Sequence, residues 1–165
     1  MSCKGDTEMG KEKNINPVWD EFHNVMSKEK GGFMMCYYKL NELIGETVVV
    51  GKREYTINAH DVYLLHYAIN CVMSNDFILF QKNEVMADRL GIKLNTLLDS
   101  IKKWRAMGFI SDKQVGKYKC RLYPDLCFIA YYLGFTLESD TFERTETQLK
   151  ILARKEQQWK DEVEF

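Results

Sequence analysis

The chain has 165 residues, of which 45% are hydrophobic and 28% charged, a composition typical of one globular domain with extensions rather than of two full domains. Two prolines and ten glycines exclude a collagen-like or low-complexity chain. The longest nearly uninterrupted apolar run, residues 126–135, is about half as long as a membrane-spanning helix. We therefore expect no membrane partner. Because residues 1–13 are polar with no apolar stretch behind them, we expect a cytoplasmic protein without a secretory signal.

Charge is distributed unevenly along the sequence, although the formal net charge is only −1. Residues 1–80 carry 8 Lys and Arg against 11 Asp and Glu, and residues 126–165 carry 5 against 8, so each segment has a net charge of −3. Residues 81–125 between them carry 10 against 5, a net charge of +5. This alternation indicates one basic surface for an anionic partner, and the alternative is an ordinary solvated mixture of charges.

The sequence offers no set of residues that would support catalysis or metal binding. The five cysteines are scattered, and several lie in apolar segments where a reduced thiol behaves as a small hydrophobic residue. Cys120 and Cys127, the nearest pair, have no second pair or nearby histidine to complete a zinc site. His60 and His66 share no helical face, and there is no glycine-rich phosphate loop. We expect a non-enzymatic protein with no catalytic residue, no metal and no cofactor.

The first elements of the chain follow a flexible N-terminal arm, predicted over residues 1–16. Asn16-Pro17 is typical of a helix start, and Gly31-Gly32 ends this first helix. Phe33–Lys39 is rich in aromatic and β-prone residues and is predicted to be a short strand, followed by a single helical turn. Residues 47–57 form a predicted hairpin whose turn is Gly51-Lys52.

Three helices and a second hairpin are predicted next. Asn58 caps a helix that runs to Met73, with Asp61 supplying the carboxylate of a capping-box-like pair. After a short apolar strand at Phe77–Phe80, a helix begins at Gln81 and is stopped by Gly91, and a third helix spans residues 94–107. The hairpin that follows has an outgoing strand in which polar and apolar side chains alternate, with Lys117, Lys119 and Arg121 on one face and Tyr118, Cys120 and Leu122 on the other.

The C-terminal part is predicted to be helical. Residues 124–134 form a compact apolar segment that is either helix or strand, and we favour a helix. We divide the chain into the arm, a domain over residues 17–135 and a C-terminal amphipathic helix within residues 136–165, running from about Asp140 to Glu162. Its apolar residues approximate a heptad seam that Glu156 interrupts, namely Leu149, Leu152, Trp159 and Val163. This seam either packs back onto its own domain or forms a homodimer.

The stretch EVMADRLGIKLNTLLDSIKKWRAMGFI, from Glu84 to Ile110, resembles the helix-turn-helix of winged-helix proteins. The resemblance lies in the order of a small Ala87 where two helices cross, Gly91 at the tight turn, Ile92 in the core and Gly108 before a basic hairpin, and it covers roughly residues 59–123. It implies an α+β, mainly α fold, a winged helix-turn-helix with an N-terminal strand and hairpin added and a long C-terminal helix.

A second and looser resemblance involves YYKLNELIG, which precedes the first hairpin. A strand and Leu-rich turn at this place is similar to the N-terminal DNA-binding domains of phage and plasmid replication proteins and of primosomal initiation proteins. The hairpin inserted at Thr47–Ile57 is longer than the connection expected in that family. The resemblance implies a role in replication initiation or transcriptional regulation of a phage, plasmid or bacterium.

The winged-helix resemblance implies a double-stranded DNA partner and assigns roles to individual residues. The third helix would enter the major groove, where Asn95 can hydrogen-bond an adenine edge and Lys102, Lys103 and Arg105 contact phosphate or cover the flank of the domain. The wing would neutralise phosphates. The implied DNA-binding residues are Lys93, Asn95, Thr96, Asp99, Lys102 and Lys103 in and before the helix, and Lys113, Lys117, Lys119 and Arg121 in the wing.

Three residues of the third helix depart from the pattern of a DNA reader. Leu94 and Leu98 lie near positions that are often polar, and Asp99 places a negative charge on the face that would meet phosphate. Asp99 can accept a hydrogen bond from a cytosine amino group, but repulsion is the simpler expectation. These residues favour the alternative of a winged-helix module that binds a protein partner and does not contact DNA.

Overall fold

The computed structural model describes residues 17–28, 35–73 and 82–163, and for Met73, Val115 and Tyr118 it describes the backbone alone. The predicted arm over residues 1–16 and the predicted strand at Phe77–Phe80 lie outside the described residues. The chain divides into two units between Phe33 and Met34, whereas the predicted domain spans residues 17–135.

The first unit contains helix α1, Pro17–Met26, which begins at the predicted proline and ends at Met26, while the predicted stop at Gly31-Gly32 lies outside the described residues. Proline suits the first helical position because its missing N–H has no partner there in any case. The rings of Trp19 and His23 stack with their centroids 5.0 Å apart. No side chain of α1 is buried.

The second unit is α+β and mainly helical, with two small antiparallel hairpins, which confirms the predicted class. Its elements are a 3-10 helix (Tyr38–Leu43), β1 (Thr47–Val50), β2 (Arg53–Thr56), α2 (Ala59–Met73), α3 (Asn83–Leu90), α4 (Leu94–Ala106), β3 (Ile110–Val115), β4 (Tyr118–Pro124), α5 (Leu126–Tyr132) and α6 (Glu146–Val163). No helix among the described residues has both the length and the apolar composition needed to cross a bilayer.

Both hairpins turn where the sequence places a glycine. Strand β1 pairs with β2 from Thr47 opposite Thr56 to Val50 opposite Arg53, and Gly51 has a φ of +62° in the turn. Strand β3 pairs with β4 from Ile110 opposite Pro124, with an irregularity between Ser111 and Lys113. The predicted alternation is present in β4, because Lys119 and Arg121 are exposed while Cys120 and Leu122 are buried.

The core of the second unit is built around α2 and a cluster of aromatic rings at the end of α4. Trp104 and Phe109 are fully buried with ring centroids 5.0 Å apart. Phe128 and Tyr132 of α5 meet Phe109 edge-on at 5.1 Å and 5.3 Å, a geometry that aromatic pairs prefer. Burial raises the pKa of Tyr132 far above its usual value, and the hydrogen bond that its hydroxyl donates to Glu46 raises it further. Helix α5 is thereby fixed against the start of β1.

The strand predicted at Phe33–Lys39 is not formed in its described part, where residues 35–37 are irregular and the 3-10 helix begins at Tyr38. Side chains of α2 form the hydrogen bonds to the backbone of residues 35–37 that a neighbouring strand would otherwise form. The Asn70 amide accepts from the Met35 N–H at 3.0 Å and donates to the Met35 carbonyl at 2.9 Å. His66 Nε2 accepts from the Tyr37 N–H at 2.8 Å. A segment satisfied in this way needs no second strand.

The C-terminal helix begins at Glu146, six residues later than predicted, and packs onto its own domain. Thr145 and Gln148 form a capping box, in which each side chain accepts from the backbone N–H of the other residue. Gln148, Ile151 and Leu152 are buried, and α6 contacts β1 and α5. The apolar segment before it is helical as favoured, and Asp125 caps α5 by accepting from the Phe128 N–H at 3.1 Å.

Candidate nucleic-acid interface

Helix α4 is amphipathic, and its inward side fixes which residues face outward. Leu97, Ile101 and Trp104 are buried, as the spacing of apolar residues predicts, and the polar Ser100 is buried with them. Leu94 is exposed and Leu98 half-buried, although the same spacing places them on this side. The Trp104 indole N–H donates to the main-chain carbonyl of Asp61 at 2.8 Å, so that the only polar atom of this large side chain has a partner. The opposite side of α4 is therefore left to solvent.

A buried carboxylate on α2 holds α4 in place. Asp61 has no exposed surface and accepts from Lys103 Nζ at 2.6 Å, from the Asn58 N–H at 2.8 Å and from the Ser100 hydroxyl. The Asn58 contact is the capping-box bond predicted from the sequence. His60 Nε2 lies 3.3 Å from the same carboxylate. One aspartate thus satisfies a helix end and ties two helices together.

Lys103 is accordingly placed away from the outward side of α4. Its ammonium group also donates to the Thr56 carbonyl at 2.8 Å, and its side chain is only 17% exposed. A lysine bonded to a buried aspartate would have to give up that pair before it could reach a phosphate. The structure gives Lys103 the role of a link between α4, α2 and β2.

The C-terminal end of α4 is connected to the β3–β4 hairpin through charged groups. Arg105 donates to Asp112 Oδ1 at 2.9 Å and to the Arg121 carbonyl at 2.6 Å. Lys119 Nζ lies 3.3 Å from the other oxygen of Asp112. Two cations therefore share one carboxylate, and this cluster keeps a net positive charge.

A groove of about 230 Å³ lies between α3, α4 and β4. Its lining combines Asn83 and the cations Lys102, Arg105 and Arg121 with apolar side chains from the same elements, namely Met86, Leu98, Ile101 and Leu122. None of the described residues that line it is acidic. Within the described part of the chain, the Lys102 ammonium and the Arg121 guanidinium form no ion pair.

The remaining residues predicted to bind DNA lie on α4, on the residue before it, or on the hairpin. Lys93, Asn95, Asp99 and Lys102 are exposed and Thr96 is half-buried. Lys113 is exposed, with its ammonium 4.3 Å from the centre of the Tyr123 ring, a cation–π contact. Lys117 is exposed in the turn beside Gly116. The structure thus brings Lys102 and Arg121 together at one groove and leaves Asp99 on the outward side of α4.

Two features of this surface were missed by reasoning from the sequence. Asn83 was not singled out, and no local pattern marks it, because it reaches the groove only through the crossing of α3 and α4. The sharing of Asp112 by Arg105 and Lys119 depends on the reversal of the chain at Gly108, where φ is +78°. The alternation of polar and apolar side chains in β4 predicts which hairpin residues face solvent. It does not predict that Arg105 and Lys119 share Asp112.

No protein-family model, curated protein or solved structure matches this chain.

Proposed function

We propose that this protein binds double-stranded DNA through the outward side of α4 and the β3–β4 hairpin. The observation that carries the proposal is the groove at which Lys102 and Arg121 meet without a neutralising acid among the described residues. Cations placed this way bind phosphate favourably because each contact releases a counterion from the duplex. Asn95, on the same side of α4, is the residue best suited to read an adenine edge.

The hairpin extends this surface beyond α4. Lys113 and Lys117 are exposed on it, and Lys119 remains close to the surface although it shares Asp112 with Arg105. A helix that reads a groove, beside a basic hairpin that contacts the backbone, is one arrangement that supports sequence-specific DNA binding. We propose that such binding serves replication initiation or transcriptional regulation in a phage, plasmid or bacterium.

The test is the salt dependence of binding to a mixed-sequence fluorescent duplex. We expect affinity to fall steeply with salt, and the double variant Lys102→Ala/Arg121→Ala to lower the slope of log K against log salt by about 2, close to 0.9 for each lost phosphate contact. Lys52→Ala/Arg53→Ala removes the same charge from the other hairpin, where both residues are exposed, and should leave the slope unchanged.

Equal slopes for the two double variants would exclude the groove from DNA binding. An absence of binding even at about 50 mM salt would refute the proposal itself.

A second candidate function is favoured by the apolar floor of the same groove. Leu98, Met86, Ile101 and Leu122 line it, and Leu94 is 36% exposed at the start of α4. An acidic peptide with apolar anchors would match a groove of this kind, as in helix-in-groove recognition. The chain would then be a protein-binding module, and the lack of any affinity for duplex DNA at low salt would be the result that supports it.

A further inference from the structure

The outward face of α6 combines charged and apolar residues in a pattern that complements itself. At 3.6 residues per turn, seven residues lie within about 120° of the helix circumference, opposite the side that packs on the domain. They are Glu146, Leu149, Lys150, Ala153, Glu156, Gln157 and Lys160, and all seven are exposed. Only part of the predicted seam belongs to this face, because Leu152 is buried and Trp159 is half-buried, with its ring 6.1 Å from that of Tyr131.

We propose that this face binds the same face of a second copy of the chain, antiparallel, with the two-fold axis at Ala153. This partner is distinct from DNA, and the proposal does not depend on DNA binding. With the axis at Ala153, a residue that precedes Ala153 by a given number of positions lies level with the residue that follows Ala153 by the same number in the second copy. Glu146, seven residues before, then meets Lys160 of the second copy, seven residues after. Lys150 and Glu156 of the second copy are level but lie on opposite flanks, each about 60° from the centre of the face, so Lys150 meets Gln157 of the second copy instead.

Two-fold symmetry forms the Glu146–Lys160 contact twice, so that two opposite-charge pairs form from one helix face. A parallel arrangement in register would place each charge against its own copy and would be repulsive. Within one chain, Lys150 Nζ already lies 3.1 Å from Glu146, and Tyr131 donates to Glu156 at 3.0 Å. The proposed contact between Glu146 and Lys160 of the second copy therefore extends the existing Glu146–Lys150 pair across the interface.

Apolar surface at the centre of this face supplies the attraction that exposed ion pairs alone do not. Ala153 allows two helices to approach to about 8 Å because its side chain is small. Leu149 is 56% exposed, and a cavity of about 260 Å³ adjoins it, lined on α6 by Leu149, Leu152, Ala153 and Glu156. In the antiparallel arrangement Leu149 of the second copy lies level with Gln157, at the edge of this cavity.

Phe142 enlarges the apolar surface and is held in an unusual conformation. Its φ is +60°, a left-handed conformation that bulky residues rarely adopt, and its side chain is 59% exposed while lining the same cavity. The Phe142 N–H donates to Asp140 at 2.7 Å, and Asp140 in turn pairs with Arg144 at 2.6 Å. In the antiparallel arrangement the C-terminal end of the second copy's α6, with its exposed Val163, comes close to Phe142.

The experiment is sedimentation equilibrium of the full chain between about 10 and 200 μM. We expect a species of twice the 19.4 kDa chain mass. Lys160→Glu turns two attractive contacts into two Glu–Glu contacts and should raise the dimer dissociation constant at least about tenfold. Adding Glu146→Lys to that variant exchanges the charges of the pair and should restore most of the affinity. Lys52→Glu, the same substitution in the exposed β1–β2 turn, should have no effect.

Four results would overturn this interface. A monomer throughout the concentration range would exclude the dimer, and a mass above that of a dimer would contradict a closed two-fold contact. Equal dissociation constants for Lys160→Glu and Lys52→Glu, or no recovery in the double variant, would show that association uses another surface. Glu146 and Lys160 are both exposed, so neither substitution disturbs the core.

Discussion

Asp61 is the single side chain on which the orientation of α4 most depends. Asp61→Ala leaves the Ser100 hydroxyl buried without its acceptor and removes the partner of Lys103, so we expect the free energy of unfolding to fall by about 3 kcal/mol. Asp112→Ala is the matched control, because it removes an aspartate that pairs with Arg105 and Lys119 but is 38% exposed. That control should cost less than about 1 kcal/mol. Urea unfolding of both variants measures the difference, and equal losses would contradict the structural role assigned to Asp61.

Gly108 has a left-handed backbone and lies close to Gln148, and only glycine suits a position with both features. Its φ is +78°, and a Cβ atom added there would lie 2.9 Å from Cγ of Gln148, which itself donates to the Gly108 carbonyl at 2.8 Å. We expect Gly108→Ala to lower the free energy of unfolding by about 3 kcal/mol, the sum of left-handed strain and a displaced α6.

Gly116 provides the comparison for that variant, because its φ is +61° and a Cβ atom there would have nothing within 4 Å. Gly116→Ala should cost only about 1–2 kcal/mol, from the left-handed conformation alone. Denaturant midpoints of the two variants separate strain from steric contact, and a Gly116 variant as unstable as the Gly108 variant would refute the proposed contact with Gln148.

At the scale of elements, helix α6 has one side buried against the domain and one side exposed to solvent. Leu152 is 6% exposed and Leu149 is 56% exposed, three positions apart on the same helix. We expect Leu152→Ala to lower the free energy of unfolding by about 2–5 kcal/mol through a cavity, and Leu149→Ala by less than about 0.5 kcal/mol. Thermal unfolding at low protein concentration, below any association, provides the measurement. Similar losses for the two variants would mean that α6 does not pack as described.

The hairpin of β3 and β4 makes a separate prediction about binding. Asp112→Asn frees Arg105 and Lys119 from a shared carboxylate and removes one negative charge from the proposed interface. We expect duplex DNA to bind about two- to tenfold more tightly at low salt, with a steeper salt dependence. Glu54→Gln makes the same change of charge at an exposed site of β2 and should leave affinity unchanged. Weaker binding of the Asp112 variant would show that the aspartate positions the hairpin rather than competing with phosphate.

The sequence predicts well the helices and hairpins whose boundaries are set by residues close together in the chain. The boundaries of α2, α4 and both hairpins follow from apolar spacing, from Asn58 and Asp61, and from glycines at the turns. Contacts between residues far apart in the chain determine the features that the sequence did not predict. The segment before the 3-10 helix appeared β-prone, yet Asn70 and His66, about 30 residues away, bond its backbone. Lys103 appeared to be one more cation of the outward side, and only the fold shows that Asp61 holds it.

At the scale of the whole molecule, acid should weaken the fold partly through the segment that precedes α6. The hydrogen bonds from Arg144 hold the pKa of Asp140 below its usual value, and the Phe142 N–H adds to this effect. A carboxyl whose pKa is lower in the folded state contributes stability that is complete above its unfolded pKa, near 4, and is lost as the pH falls through the folded value.

We therefore expect the urea midpoint of the natural protein to fall more steeply below about pH 4 than that of Asp140→Asn, which has no charge to lose there. The two midpoints should lie furthest apart near neutral pH. Parallel profiles between pH 7 and pH 3 would show that Asp140 does not contribute to acid unfolding.

The division of α4 into an anchored side and an open side has a consequence for the evolution of this protein. The anchored side holds Leu97, Ser100, Trp104 and Lys103, whereas Lys93, Asn95, Asp99 and Lys102 on the open side contribute nothing to the core. Substitutions there would alter the proposed DNA-binding surface at almost no cost in stability. We expect most members of a library randomised at these four positions to remain folded, so the proposed binding surface can vary in sequence while the core of the domain stays the same.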